Sequence, residues 1–201
     1  SYTWILNNDI VAKEDTLEFL LEKASENQKA AFMGCPVLFS NSNEVQCYGG
    51  GIHYSKLGLS RLLYKNKRLS DLPKKPRKPD YIMGCNILVK VSAIEEIGTM
   101  NEEYFMYSED IEWQTEAKLK GWEIDLTHKT AVFHGEKRER DTREPSYYYY
   151  KNRAAIKLTK RLNGYFWSIL SVATHLLIIP FRTVPKDCMS SYIQGLKDGL
   201  K

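Results

Sequence analysis

Three short groups of residues carry oxygen and nitrogen donors where the chain leaves one element for the next. Asn7-Asn8-Asp9 follows the apolar run at 3–6. A carboxylate with amide oxygens at the end of a strand is a hard-oxygen arrangement suited to Mg2+ or Mn2+, ions that often share their coordination with substrate phosphates. The same residues also suit a plain Asx turn, with Asp9 or Asn8 bonding nearby backbone amides. Glu109-Asp110 heads a helical pattern, after Tyr107-Ser108 and before Ile111-Glu112-Trp113. A carboxylate there could take a proton from an attacking hydroxyl, or the pair could cap the helix and complement its dipole. His134 closes the apolar run Ala131-Val132-Phe133. A neutral imidazole at a strand edge can join a carboxylate on a divalent cation, although a lone histidine is more often structural.

These groups need elements to hold them. Residues 3–6 read as a strand, and 15–25 as an amphipathic helix with Leu17, Leu20, Leu21 and Ala24 on one face and Asp15 or Thr16 as N-cap. Residues 31–39 form a strand pair, or one strand broken at Gly34 and Pro36, followed by a hairpin signal at 40–43 and a turn at Gly49-Gly50-Gly51. A strand is expected over 80–89, interrupted at Gly84-Cys85-Asn86. Helices are expected over 92–97 and 110–120, ended by Gly98 and Gly121, with strands at 123–126 and 131–133. Residues 146–162 read as a basic, aromatic helix. The stretch 165–181, with His175 inside and Pro180 near its end, is the most apolar in the chain. It lies at the short limit for a membrane span, so a helix in the membrane interface or packed on the main domain is expected. In the membrane alternative, Lys151, Arg153, Lys157, Lys160 and Arg161 face the headgroups, and Phe166, Trp167 and 176–179 the acyl boundary.

A chain of 201 residues, 43% hydrophobic and 27% charged, has globular composition and room for one large domain, alone or with an appendage. The net charge of +4 is mild but uneven, for Lys65, Lys67, Arg68, Lys74, Lys75, Arg77 and Lys78 stand against Asp71 alone. Such a cluster in a Pro-rich surface loop suits phosphate or a membrane surface, and argues against nucleic acid as the partner of the whole domain. Cys35, Cys47, Cys85 and Cys188 have neither CxxC spacing nor clustered histidines. They signal no zinc site and no disulfide framework, so a cytoplasmic setting is expected, with attachment to the inner face of a membrane left open. The absence of a signal peptide and of an initiator methionine leads to the expectation of a piece excised from something longer.

The succession of these groups from 3 to 153 resembles the family 2 glycosyltransferases. Leu6-Asn7-Asn8-Asp9 is similar to their "LNND" metal motif, and Asp80-Tyr81-Ile82-Met83-Gly84 to their "VDxxxG" stretch. Residues 100–110 resemble "FDExFFxYxED", Lys120-Gly121-Trp122 the "xGW" beyond it, and Tyr150-Lys151-Asn152-Arg153 the "YRNR" helix. The nearest branch is the bacterial rhamnosyl- and galactofuranosyltransferase type. The resemblance implies an α/β fold: a partial GT-A, Rossmann-like mixed sheet over 1–145, without its first strands, then a helical tail over 146–201.

It further implies that Asp9 and His134 hold Mg2+ or Mn2+ on the donor diphosphate, with Asn7 and Asn8 beside the donor. Gly84 and Cys85 would floor the sugar site, and Trp113, Tyr150 and Arg153 would belong to the substrate-binding set. Asp110 would be the base, and Glu109 would orient it or contact the acceptor. The implied activity is inverting transfer from a nucleotide-diphospho-sugar to a hydroxyl of a saccharide or lipid-linked acceptor, in bacterial cell-surface polysaccharide synthesis. The isolated chain would be nearly inactive. A sheet without its first strands would present an edge that a second copy or the C-terminal helices could cover. Two rivals stay open: a non-catalytic binding or assembly module of a larger membrane-associated protein, and a metal-dependent phosphotransferase or nuclease, which would want more converging carboxylates.

Overall fold

A computed structural model of the chain describes residues 1–53, 55–57, 59–135, 143–181 and 184–201. The elements in chain order are β1 (Tyr2–Leu6), β2 (Ile10–Ala12), α1 (Thr16–Glu26), β3 (Ala30–Gly34), β4 (Val37–Leu38), β5 (Val45–Cys47), β6 (Gly50–His53), β7 (Leu59–Leu62), β8 (Asn86–Lys90), α2 (Val91–Ile97), α3 (Glu109–Leu119), β9 (Glu123–Leu126), β10 (Val132–His134), α4 (Pro145–Asn163), α5 (Tyr165–Ile178) and α6 (Met189–Leu200). They fall into two compact units. One comprises Ser1–Gly51, Arg61–Met100 and Asp110–Glu139; the other comprises Ile52–Ser60, Asn101–Glu109 and Arg140–Lys201.

The first unit is built on two mixed sheets. In one, the order is β1-β8-β3-β9, with β8 antiparallel to β1 and β3, and β9 parallel to β3. Every residue of β3 is buried, which is why its sequence, AAFMG, does not alternate. Met33 packs with Leu20 and Ala24 of α1, while Phe32 meets Trp113 of α3 edge-on at 4.9 Å. The second sheet runs β2-β10-β4-β5, with β10 antiparallel to β2 and parallel to β4. Its register sets His134 opposite Ile10, so the end of one strand lies beside the start of the other.

Two local expectations change. The strand expected over 80–89 begins only at Asn86. Upstream, Gln114 of α3 takes the groups a ladder would need: its Oε1 accepts from Ile82 N at 2.7 Å, and its Nε2 donates to Ile82 O at 2.7 Å. Asp15 occupies the N-cap position of α1 without a capping bond, because its carboxylate accepts from Thr130 Oγ1 at 3.2 Å.

In the second unit, α4 lies against α6, a helix that the sequence reading did not assign. A Cβ at Gly195 would run into Tyr149 O, and one at Gly199 would come 2.7 Å from Arg153 O. The four-residue spacing of the two glycines therefore lets the backbones meet. Tyr148, Ile156, Cys188, Tyr192 and Leu196 fill the space around that contact. In α5 the buried residues are Ser168, Ser171 and His175. Ser171 Oγ donates to Leu57 O at 2.8 Å, and His175 Nδ1 meets Tyr192 Oη at 2.8 Å. No helix among the described residues is long and apolar enough to cross a membrane.

Candidate active site

Asp9 is the last residue before β2 and His134 the last of β10, and the antiparallel pairing of these strands joins them. His134 Nε2 lies 3.3 Å from Asp9 Oδ1. The other ring nitrogen, Nδ1, is 2.8 Å from Gln46 Oε1. When Nδ1 donates to that amide oxygen, Nε2 turns a lone pair toward the side of the Asp9 carboxylate, where a cation could be shared. Gln46 is the middle residue of β5, between buried Val45 and Cys47. Its role was missed from the sequence, where the only trace is a polar side chain at the outward position of an alternating strand.

A second cluster is tied to the first through the backbone. Asn7 N donates to Cys85 O at 3.1 Å, and the next amide back along that segment, Gly84 N, donates to Asp110 Oδ2 at 2.7 Å. A Cβ on Gly84 would come 3.2 Å from Asp110 Cβ, so the close approach wants a residue without one. The Gly84 amide is directed at the Asp110 carboxylate. Asp110 Oδ1 accepts from Ile111 N at 2.9 Å. The thiol of Cys85 is pushed well above its usual range, chiefly by burial and further by the charges of Cys47, Asp110 and Asp9. Gln114 is a further residue missed from sequence. One turn beyond Asp110, it donates to Asp110 O at 3.0 Å while holding Ile82, and so fixes the segment that carries Gly84.

Glu109 opens α3 and belongs to the second unit. Burial raises its carboxyl above the ordinary carboxylate range, and its Oε2 is enclosed without a hydrogen-bond partner among the described residues. The chain reaches it through Phe105, Tyr107 and Ser108, at φ of 62°, 69° and 67°. Non-glycine residues held there cost on the order of 1–3 kcal/mol each and cluster at functional sites. Of the residues expected to bind substrate, Asn7 and Asn8 are exposed. Tyr150 packs its ring on Phe105 at 4.8 Å. Arg153 gives Nη1 to Tyr104 O and Nη2 to Glu103 O, each at 3.2 Å. Trp113 is corrected to a core residue: it is buried against Phe32, and its indole N–H is committed to Gly98 O at 2.8 Å. In the basic loop, Lys78 pairs with Glu123 at 3.0 Å.

Among the described residues, no group of three or more His, Cys, Asp or Glu side chains could hold a metal ion. Asp9 and His134 alone supply a carboxylate oxygen and an imidazole nitrogen at a spacing that suits neighbouring ligands of one ion. A two-residue site fits a divalent cation that completes its shell with water and substrate phosphate.

No protein family and no curated protein matches this sequence. Among solved structures, the chain is similar in fold to the crystal structure of GalNAc-T7 with UDP, GalNAc and Mn2+. The TM-score is 0.59 at 11% identity, and the match covers 98% of this chain and 38% of that one. The fold is accordingly mixed α/β of the GT-A glycosyltransferase type. The chain spans less than two fifths of the length of that neighbour.

Proposed function

We propose that this chain carries the metal-binding and acceptor-activating part of a glycosyltransferase site, using a nucleotide-diphospho-sugar donor and a saccharide or lipid-linked acceptor. The observation that carries the reading is the joining of Asp9, His134 and Asp110 through β2, β10 and the Gly84–Cys85 backbone. The GT-A fold and the UDP and Mn2+ held by the structural neighbour support it. The succession of motifs favours family 2 and its rhamnosyl- and galactofuranosyltransferase branch, with a role in bacterial surface polysaccharide synthesis.

Asp110 acts as general base: it takes the proton of the acceptor hydroxyl as that oxygen attacks the anomeric carbon from the face opposite the leaving group. The new glycosidic bond forms as the bond to the diphosphate oxygen breaks, and the configuration inverts. The Gly84 amide and the Ile111 amide hold the two carboxylate oxygens in place. Asp9 and His134 would hold Mg2+ or Mn2+, with Gln46 fixing the imidazole. When bound, that ion supplies positive charge to the departing diphosphate.

The test is a Mn2+ titration followed by electron paramagnetic resonance in the presence of UDP, paired with a sugar-transfer assay. Asp9→Ala and His134→Ala each weaken Mn2+ binding at least tenfold. Asp110→Asn leaves it unchanged and lowers transfer on the order of 100-fold or more. Mn2+ affinity indifferent to both ligand substitutions, or full transfer by Asp110→Asn, sinks the assignment.

A further inference from the structure

Helix α5 is turned inside out relative to an ordinary surface helix, which buries its apolar face. Ser168, Ser171 and His175 point inward, whereas Phe166, Ile169, Leu170, Leu177 and, just beyond the helix, Phe181 are exposed. Phe166 is 72% exposed, Leu177 74% and Phe181 89%. Spacings of three, four and seven residues set the exposed groups along a single stripe. A contiguous apolar stripe of this kind marks an interaction surface.

The charge around the stripe indicates what covers it. From 145 to 186 the sequence has no Asp or Glu. Lys56 Nζ lies 4.7 Å from the centre of the Trp167 ring, and Lys160 Nζ 5.9 Å from that of Tyr165, so cations and amphipathic rings share the margin of the stripe. Arg153 and Lys157 of α4, expected from the sequence to face headgroups, are instead bonded to Glu103 or its neighbour Tyr104. A second copy of the same face would bring Lys56 and Lys160 at its margin up to a surface that offers them no acid.

We infer that the outward face of α5 seats the protein on an anionic lipid surface. Its 14 residues extend roughly 21 Å, short of the ~30 Å hydrocarbon core, so the helix lies in the interface plane with its apolar stripe among the acyl chains. This inference stands independently of the sugar-transfer reading.

The experiment is flotation of the chain with vesicles of phosphatidylcholine alone and of phosphatidylcholine with phosphatidylglycerol. The chain is expected to float with the anionic vesicles only and to be released by high salt. Phe166→Glu and Leu177→Glu, and the milder Leu177→Ser, should each lower the bound fraction, the glutamates at least tenfold, with the circular dichroism spectrum unchanged. The inference is overturned by failure to float with either vesicle, by equal flotation with both, or by binding indifferent to these substitutions. A dimer in light scattering that Leu177→Glu dissolves, without lipid binding, would assign the stripe to a second copy instead.

Discussion

Asp9 and His134 show how little side chain a two-ligand site needs once the backbone has brought the strand ends together. The imidazole is held from behind by Gln46 and the carboxylate is exposed in front, which leaves the open coordination positions for a substrate. Glu109 is a different kind of residue, because burial holds its carboxyl above the ordinary range. The folded state therefore binds this proton more tightly than the unfolded chain does. The associated stability is fully present below the unfolded value and is lost as pH rises from there through the raised folded value. Glu109→Gln should remove that dependence. In urea unfolding between pH 4 and pH 8, the variant should gain on the parent as pH rises and match it most closely at the acid end. A difference that is flat with pH would show that Glu109 does not titrate in this way.

At the scale of elements, α3 is positioned by its polar face as much as by its core face. Trp113 and Ala117 pack into the core, while Gln114 grips Ile82 and the amide of Gly84 reaches Asp110. The candidate base and the loop that bonds it are thus one construction. In the second unit, the α4–α6 contact depends on Gly195. Gly195→Ala gains up to ~1 kcal/mol of helix propensity, but its Cβ meets the Tyr149 carbonyl, a backbone atom that cannot rotate away. Overpacking of about 1–3 kcal/mol should win. The melting temperature should fall by a few degrees, whereas Lys197→Ala on the exposed side of the same helix should be silent. An unchanged melting temperature for Gly195→Ala would show that the helices can separate without cost.

Across the whole molecule, all four cysteines are buried, and none is joined in a disulfide among the described residues. Burial pushes Cys35 and Cys47 up to about 12, so the reactive thiolate is scarce at neutral pH. A thiol reagent such as dithiobisnitrobenzoate at pH 8 should label the native chain slowly and all four cysteines at once in guanidinium chloride. Labelling of the native chain at the rate of a free thiol would contradict the burial.

Much of this was legible from local pattern. Leucines at helical spacing fixed α1, glycines ended α2 and α3, and the adjacency of Glu109 and Asp110 to a helix start is a covalent fact. The donor types alone pointed to hard-cation and proton-transfer chemistry. Other features could not be read along the chain. Trp113 looked available to a substrate until its neighbour across the fold proved to be Phe32. The strand expected over 80–89 begins only at Asn86, and upstream of it Ile82 is held by a glutamine on a distant helix. Gln46 had no signal that connects it with His134. The sequence by itself determined which residues could bind a cation or move a proton, because that is set by side-chain chemistry and local periodicity. Only the tertiary structure decided that Asp9 meets His134 and that Gly84 meets Asp110, because strand register and helix packing are long-range choices.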